Sequence, residues 1–171
     1  MANTFLAAQG LTMGKSLVEV DKLALARSLI QRAQDRRVKL LLPTDLVVAS
    51  SLDAESGQVV PITEVPADAM ALDVGPRTTE AFRTVILPAK ALFWNGPLGL
   101  FEKKPFSEGT FAIAKAGADC AGFTVVGGGD SVAAVNQAGY GSRYDHVSTG
   151  GGASLEYLEG RPMPGIEAVR T

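Results

Sequence analysis

Short apolar segments alternate with amphipathic helical patterns along this chain, most regularly from residue 70 onwards. Each of the later apolar segments ends at a turn that contains glycine, and a helical pattern follows that turn. This alternation predicts an α/β fold in three layers, with one mainly parallel sheet and helices on both faces. The predicted strands are residues 38–42, 46–49, Met70–Val74, 90–94, 123–126 and His146–Ser148.

The first third of the chain has its own pattern. Ser16 and Glu19 have the spacing of a capping box, which predicts that a helix begins there. Residues 51–66 are rich in turn formers and include an apolar segment at 58–62, which predicts a small hairpin excursion. The apolar face of the first predicted helix contains Leu23, Ala26, Leu29, Ile30 and Ala33. Later helices are predicted through Glu80 and Phe82, around 109–118, at 131–138 and at 153–159.

Composition and charge restrict the class of function. The chain has 171 residues, of which 46% are hydrophobic and 20% charged, and its net charge is -2. This balance is typical of a soluble globular domain, and it disfavours a nucleic-acid-binding surface because such surfaces usually have a basic excess. No apolar segment approaches the ~20 residues that span a bilayer. The amino terminus lacks the basic and apolar regions of a secretory signal.

Two residue types occur only once. Cys120 is the only cysteine, so no internal disulfide can form, and one free thiol fits a cytoplasmic location. A small core residue is the favoured interpretation of Cys120 over a catalytic thiol. His146 is the only histidine, which excludes a metal site built from several histidines.

Glycine-containing turns mark the predicted functional edge. In a parallel sheet with right-handed crossovers, every strand-to-helix turn lies at the carboxyl edge, where open α/β sheets bind ligands. Glycines let backbone N–H groups approach an anion, and helix amino termini favour negative charge. Triple-glycine turns before helices therefore favour phosphate binding over a purely structural role. The converging turns are Gly75, 95–99, 127–130 and 149–152.

Three other motifs fit less well. Residues 10–16, which include Lys15, are one residue short of a P-loop, and no strand precedes them. The dinucleotide fingerprint G-x-G-x-x-G also fails, so a nicotinamide cofactor is not supported. Residues 129–133 resemble a nucleophile elbow around Ser131, with His146 as the only histidine for a triad. That serine hydrolase hypothesis leaves no room for an acid-bearing strand between the two residues.

Several segments together resemble phosphoglycerate kinases. Residues 94–102, WNGPLGLFE, are similar to the family's WNGP-x-G-x-FE segment, and residues 127–131, GGGDS, to its GGGD[ST] turn. Residues 146–156, HVSTGGGASLE, resemble the segment that opens the family's late helix. Shorter similarities follow in family order at 3–6, 14–17, 72–76 and 158–166, so the resemblance covers essentially the whole chain.

The resemblance implies an activity and a fold. Phosphoglycerate kinases transfer a phosphoryl group between 1,3-bisphosphoglycerate and ADP with Mg²⁺, giving 3-phosphoglycerate and ATP in glycolysis. Their carboxy-terminal domain, which has a Rossmann-like sheet, holds the nucleotide. The resemblance therefore implies that residues 1–171 are a partial carboxy-terminal nucleotide-binding domain, with the sheet truncated on its amino-terminal side. No nucleic-acid or membrane partner is expected, and the intact enzyme is expected to be a monomer.

The resemblance also implies residue roles. Glu102 is expected to bind the ribose hydroxyls, and Asp130 to hold Mg²⁺ together with phosphate oxygens. The implied nucleotide-binding residues are Leu17, Gly75, Asn95, Pro97, Leu100, Glu102, Gly128, Gly129, Asp130 and Ser131. The implied backbone donors to the transferring phosphoryl group are Gly128, Gly150, Gly151 and Gly152. Positions similar to the family's interdomain hinge are His146, Ser148 and Thr149.

Plainer interpretations of these residues stay open at this point. Core packing is the alternative for Leu17 and Leu100, and an exposed loop acid for Glu102. A helix N-cap is the alternative for Asp130. A turn residue that bonds its own backbone is the alternative for Asn95, and a core histidine for His146.

Parts of the family's pattern have no counterpart in these residues. The glycerate-binding domain and a GG-[AS]-K turn with a catalytic lysine are both absent from the sequence. Phosphoryl transfer needs both substrates in line and the transferring charge neutralised. We therefore expect this chain to be a fragment that is inactive alone. A nucleotide-binding remnant that no longer catalyses is the alternative.

Overall fold

The computed structural model describes residues 1–148 and 150–169. Its contacts divide the chain into two compact units, Met1–Val85 with Leu98–Ile113 and Ile86–Pro97 with Ala114–Thr171. In chain order the helices and strands are α1 Ala2–Ala8, α2 Leu23–Asp35, β1 Asp45–Ala49, β2 Gln58–Pro61, β3 Met70–Val74, α3 Pro76–Ile86, β4 Ala91–Asn95, α4 Glu108–Ala118, β5 Phe123–Gly127, α5 Gly129–Gln137, β6 His146–Ser148, α6 Gly151–Leu158 and α7 Pro164–Glu167.

An antiparallel sheet of order β2-β1-β3 forms the first unit. Leu46 of β1 lies opposite Val60 on one side and Val74 on the other. Parallel neighbours need a crossover connection, usually a helix, and the chain between β1 and β3 contains only the predicted hairpin strand β2. The prediction that β1 and β3 share a parallel sheet with the later strands is therefore wrong.

Residues 38–42, predicted as a strand, do not form one. Val38 is 62% exposed and Leu40 is 42% exposed. Within the described part of the chain no strand pairs with this segment, although Leu42 packs against the core of the first unit. An apolar segment becomes a strand only when a neighbouring backbone accepts and donates its hydrogen bonds, and periodicity alone does not supply that neighbour.

The predicted helix start at Ser16 is also wrong. The Ser16 Oγ accepts a hydrogen bond from the backbone N–H of Ala71 at 2.9 Å. The Glu19 N–H donates to the Thr4 Oγ1 at 3.1 Å, so neither residue takes part in a capping box. A short 3₁₀ turn follows, and α2 begins at Leu23.

The buried core of the first unit contains Leu6, Met13, Leu46, Val48, Val60, Val65 and Ala69.

A parallel sheet of order β4-β5-β6 forms the second unit. Asn95 lies opposite Gly127, and Gly127 lies opposite Ser148, so the three strands end side by side. Trp94 and Val126 are buried on one face of the sheet. The α/β class with a helix-flanked parallel sheet is confirmed for these strands, because helices connect them in the way parallel pairing requires.

Tyr144 closes the buried face of the second unit. Its ring centroid lies 6.5 Å from that of Trp94, and its hydroxyl donates to the Ala114 carbonyl at 3.0 Å. Burial raises the pKa of the Tyr144 hydroxyl above its ordinary value, so it stays a neutral donor. Next in the chain, the Asp145 carboxylate accepts the Thr124 N–H at 2.7 Å, and that hydrogen bond lowers the pKa of the Asp145 carboxyl.

Among the described residues, 1–148 and 150–169, no helix has the length and apolar content needed to cross a bilayer.

Candidate functional site

Three turns meet at the carboxyl ends of β4, β5 and β6. The Asn95 side-chain amide at the end of β4 donates to the Gly127 carbonyl of β5 at 3.0 Å. The Gly128 N–H donates to the Ser148 carbonyl of β6 at 3.1 Å. The side-chain amide of Asn95 therefore bonds a neighbouring strand, rather than its own turn as the plainer interpretation held. The predicted convergence of these three turns is present in the second unit.

Glycine is required where two of these turns touch. A Cβ atom on Gly151 would lie 2.7 Å from the Gly128 Cα and 3.1 Å from the Asn95 amide nitrogen. Gly128 has a φ of +92°, a backbone conformation that residues with a side chain rarely adopt. Without side chains, the two backbones pack against each other and leave their remaining surface open to a ligand.

The amino terminus of α5 offers donors to an anion. The first hydrogen bond of this helix runs from the Val132 N–H to the Gly128 carbonyl at 3.0 Å. The N–H groups of Gly129, Asp130 and Ser131 precede it and have no partner within the helix. Helix amino termini with such groups favour bound phosphate.

Asp130 lies in the first turn of α5 with its side chain exposed. The residue at the N-cap position is Gly128, and α5 has no side-chain cap hydrogen bond. The N-cap alternative for Asp130 is therefore wrong. Its carboxylate stands beside three backbone donors, where a cation and phosphate oxygens can be held together.

Ser131 is 1% exposed, and its hydroxyl oxygen accepts the Gly96 N–H at 2.6 Å. This hydrogen bond joins the turn after β4 to the first turn of α5. A serine nucleophile must present its hydroxyl oxygen to the substrate, so the buried Ser131 does not fit the serine hydrolase hypothesis. His146 is exposed at the start of β6, which also excludes the core-histidine interpretation.

The third turn leads into α6. The first helical hydrogen bond here runs from the Ser154 N–H to the Gly150 carbonyl at 3.1 Å. The N–H groups of Gly151 and Gly152 come before it at the helix terminus. Ser148 stabilises the turn, because its hydroxyl accepts the Gly150 N–H at 3.3 Å. The predicted hinge residue Thr149 lies outside the described residues.

Four other predicted nucleotide residues belong to the first unit: Leu17, Gly75, Leu100 and Glu102. Leu17 is 84% exposed, so the core-packing alternative is wrong for it. Leu100 is half-buried against the cluster of Ala49, Leu72 and Phe106, so packing accounts for part of its surface. Glu102 is exposed. Pro97 is half-buried and is the last residue of the segment Ile86–Pro97 of the second unit.

Sequence reasoning missed the buried groups behind Gly75. The Gly75 N–H donates to the Asp45 carbonyl at 3.0 Å, and a Cβ on Gly75 would overlap the Asp45 carboxylate. That carboxylate accepts the Thr78 hydroxyl at 2.6 Å and the backbone N–H groups of Thr78 and Arg77 at 2.7 and 3.0 Å. Asp45 and Thr78 are 2% and 0% exposed. The only sequence signal was an aspartate beginning an apolar strand.

A second buried carboxylate, Asp73, lies in β3. It is 3% exposed and accepts the N–H groups of Val74 and Gly109, each at 2.8 Å. Burial raises the pKa of the Asp73 carboxyl to about 6, against the lowering effect of the two hydrogen bonds, and the negative charge of Glu108 adds to the rise.

Comparison with known proteins identifies the family. The phosphoglycerate kinase family model matches residues 1–161. The chain belongs to the phosphoglycerate kinase family. It is 54% identical over 170 residues to the phosphoglycerate kinase of Roseiflexus castenholzii and 56% identical over 170 residues to that of Anaeromyxobacter sp. strain Fw109-5. Each alignment covers 99% of this chain and 43% of the relative, so the chain spans less than half the length of these phosphoglycerate kinases.

Solved phosphoglycerate kinases have the same fold over this length. The structure from Coxiella burnetii matches with a TM-score of 0.92 and 41% identity, covering 97% of this chain and 43% of that one. The structure from Pyrococcus horikoshii matches with a TM-score of 0.83 and 29% identity, covering 99% and 43%.

The family resemblance implies Mg²⁺ together with ADP or ATP. Among the residues that the structure describes, no three His, Cys, Asp or Glu side chains cluster as a metal site. That donor set fits Mg²⁺ only as an ion shared with a nucleotide, because Mg²⁺ is typically bound through one or two carboxylates plus phosphate oxygens and waters. Asp130 is the carboxylate that the family resemblance implies for such an ion.

Proposed function

We propose that this chain is the nucleotide-binding part of a phosphoglycerate kinase. The whole enzyme would transfer a phosphoryl group between 1,3-bisphosphoglycerate and ADP, giving 3-phosphoglycerate and ATP in glycolysis. One observation supports this most directly: Asn95, Gly128 and Gly151 meet at the carboxyl ends of three adjacent parallel strands. Open parallel sheets bind nucleotides at this edge.

The phosphate chain would bind at the turns of the second unit. The N–H groups of Gly129 and Ser131 would donate to phosphate oxygens. Asn95 and Gly128, whose own N–H bonds the Ser148 carbonyl, would lie beside them. Asp130 would hold Mg²⁺, which when bound neutralises charge on the β- and γ-phosphates. The buried Ser131 hydroxyl is engaged with Gly96, so Ser131 contributes through its backbone N–H.

The nucleoside roles rest on the family resemblance. Glu102 would accept hydrogen bonds from the ribose hydroxyls, and its exposed carboxylate is available for them. The apolar surface of Leu17, 84% exposed, would cover one part of the adenine. Gly75 and Leu100 would also line the adenine slot, and Pro97 would pack near the ribose.

Catalysis by the whole enzyme would depend on the last glycine turn. The N–H groups of Gly151 and Gly152 would point at the phosphoryl group as it passes between its two oxygen partners. Gly128 and Gly150, whose N–H groups bond the Ser148 carbonyl and hydroxyl, would lie beside them. Donors fixed in place before the reaction stabilise charge that grows in the transition state without reorganising. Phosphoryl transfer depends mainly on such positioning and charge stabilisation, since the protein does little covalent chemistry.

The chain alone is proposed to bind nucleotide without turnover. Its residues include no GG-[AS]-K turn and no glycerate-binding arginine cluster like the family's. Loss of the second substrate's position removes proximity effects worth ~7–11 kcal/mol. We place the activity in the cytoplasm, where one free cysteine is compatible with reducing conditions, and expect the whole enzyme to be a monomer.

The experiment is a coupled assay of the purified chain with 3-phosphoglycerate and MgATP, alongside calorimetric titration with ADP and Mg²⁺. We expect measurable ADP binding and no turnover. Turnover comparable to that of a full-length phosphoglycerate kinase would overturn the inactive-fragment part of the proposal. Absence of any nucleotide binding to the folded chain would overturn the binding part.

A further inference from the structure

The loop from Leu98 to Glu102 is fixed by a buried hydroxyl. The backbone N–H groups of Leu98 and Gly99 both donate to the Thr110 Oγ1, at 3.1 and 3.0 Å. Thr110 lies in α4 and is 0% exposed. A hydroxyl oxygen has two acceptor lone pairs, and both of them are used here on successive residues of one loop.

The other side of this loop is fixed by β3. The Leu100 N–H donates to the Leu72 carbonyl at 2.8 Å. A Cβ on Gly99 would overlap the Asp73 carboxylate, so this loop passes directly over that group. Asp73 also holds the start of α4, because it accepts the Gly109 N–H at 2.8 Å. The helix that carries Thr110 and the strand that supports the loop are thereby tied to each other.

These bonds determine where Glu102 lies. Phe101 is 4% exposed and anchors the loop in the core. The Lys103 N–H donates to the Leu100 carbonyl at 3.0 Å, which closes a tight turn around the two residues between them. The exposed Glu102 side chain therefore leaves the surface from a turn whose position is set by Thr110 and Asp73.

We infer that Thr110 and Asp73 are positioning residues for the nucleoside of ADP or ATP. They hold the loop whose Leu100 and Glu102 bind adenine and ribose, and neither touches the nucleotide. This inference rests on the proposed function. The Leu98 and Gly99 amides are partly buried, so removing the Thr110 hydroxyl would take away this acceptor and displace both amides toward water.

The test compares two ligands that report on different parts of the nucleotide. Mg²⁺–ADP requires the nucleoside loop, whereas Mg²⁺–pyrophosphate requires only the phosphate turns. Thr110→Val keeps the shape of the side chain and removes its acceptor. Thr110→Ser restores the hydroxyl. Thr124→Val is the matched control, because Thr124 is 3% exposed and its hydroxyl also accepts a backbone N–H, that of Asp145 at 3.1 Å, at the far end of β5.

In calorimetric titrations of the 171-residue chain, Thr110→Val should weaken Mg²⁺–ADP about five- to tenfold and leave Mg²⁺–pyrophosphate affinity unchanged. Thr110→Ser and Thr124→Val should bind Mg²⁺–ADP as the unaltered chain does. Hydrogen exchange should show faster exchange of the Leu98 and Gly99 amides in Thr110→Val. If Thr110→Val does not fold, Asp73→Asn is titrated in its place, since an amide offers one acceptor where the carboxylate uses two.

Two outcomes in the Thr110→Val variant overturn the inference. One is unchanged Mg²⁺–ADP affinity in the folded variant, and the other is an equal loss for both ligands, which would indicate general destabilisation. If the unaltered chain binds pyrophosphate and not ADP, the inference is also contradicted, whereas the proposed phosphate site is supported. Failure of the unaltered chain to bind either ligand would instead overturn the proposed function itself.

Discussion

The Ser131 hydroxyl accepts the Gly96 N–H at 2.6 Å, although the two residues lie 35 positions apart in sequence. Gly96 belongs to the WNGP turn after β4, and Ser131 to the GGGDS turn after β5. Two sequence motifs that resemble the family separately are therefore one hydrogen-bonded unit in the structure. The serine is best explained by this bond, since its side chain has almost no exposed surface for a substrate.

Replacing that serine tests the structural role. Ser131→Ala should lower the free energy of unfolding by about 1 kcal/mol, because the hydrogen bond from the Gly96 N–H to the Ser131 hydroxyl is lost. Urea unfolding measures the change. Ser142→Ala, at an exposed position in a 3₁₀ turn, is the control and should stay within about 0.5 kcal/mol. In a full-length family member, Ser131→Ala should retain much of the kinase rate, whereas a serine nucleophile would leave none.

Two glycines of α6 should respond differently to alanine. A Cβ on Gly151 would press on the Gly128 backbone at 2.7 Å, whereas a Cβ on Gly152 meets nothing within 4 Å. Gly151→Ala should therefore destabilise the chain by about 1–3 kcal/mol, as overpacked substitutions do. Gly152→Ala should be neutral or slightly stabilising, since alanine is the better helix former. Equal thermal unfolding curves for the two variants would contradict the close packing of the two turns.

The pH dependence of stability should contain a contribution from Asp73. Its folded-state pKa is about 6 and its ordinary pKa is 3.8, so the folded state holds this proton to higher pH than the unfolded state. The contribution is fully present below pH 3.8 and is lost as the pH rises through about 6, amounting to no more than about 3 kcal/mol.

Asp73→Asn should remove this loss of stability between pH 4 and 6. Urea unfolding across that range measures it. Other charged groups share the cavity beside Asp73, namely Glu55, Glu80, Lys104 and Glu108. Glu80→Gln is therefore the matched control, and it should keep the pH dependence. A variant curve parallel to that of the unaltered chain would show that another group is responsible.

The strands at Met70–Val74 and His146–Ser148 have the predicted bounds, because an apolar segment closed by glycine turns is a local signal. Residues 38–42 have an equally apolar pattern and form no strand, since pairing depends on a partner elsewhere in the chain. The same limit applies to the site. The convergence of the glycine turns could be predicted from their order along the chain, and phosphate binding at these turns stays a prediction.

The buried pair Asp45 and Thr78 could not be predicted, because these residues are 33 positions apart and only tertiary packing brings them together. The same is true of Thr110 and the amides of Leu98 and Gly99. Family resemblance predicts which residues touch the nucleotide. The buried residues that support them can be recognised only from their burial and hydrogen bonds in the structure.

In a full-length family member, substitutions of the proposed ribose-binding and metal-binding residues should change different kinetic parameters. Glu102→Ala should chiefly raise the KM for nucleotide, because a ribose contact is made equally in the ground and transition states. Asp130→Ala should chiefly lower kcat, because the Mg²⁺ it holds offsets charge that grows during transfer. Near-normal turnover of Asp130→Ala at saturating Mg²⁺ and nucleotide would refute the metal assignment.

The most direct test of the central claim is the Mg²⁺ dependence of ADP binding by the 171-residue chain, measured by calorimetry with and without Asp130→Asn. Asp119→Asn is the control, because Asp119 pairs with Lys115 and Arg143 away from the glycine turns. We expect Mg²⁺ to strengthen ADP binding to the unaltered chain and to Asp119→Asn, and to have little effect on ADP binding to Asp130→Asn. ADP binding that is absent, or that Mg²⁺ strengthens equally in all three proteins, would contradict this expectation.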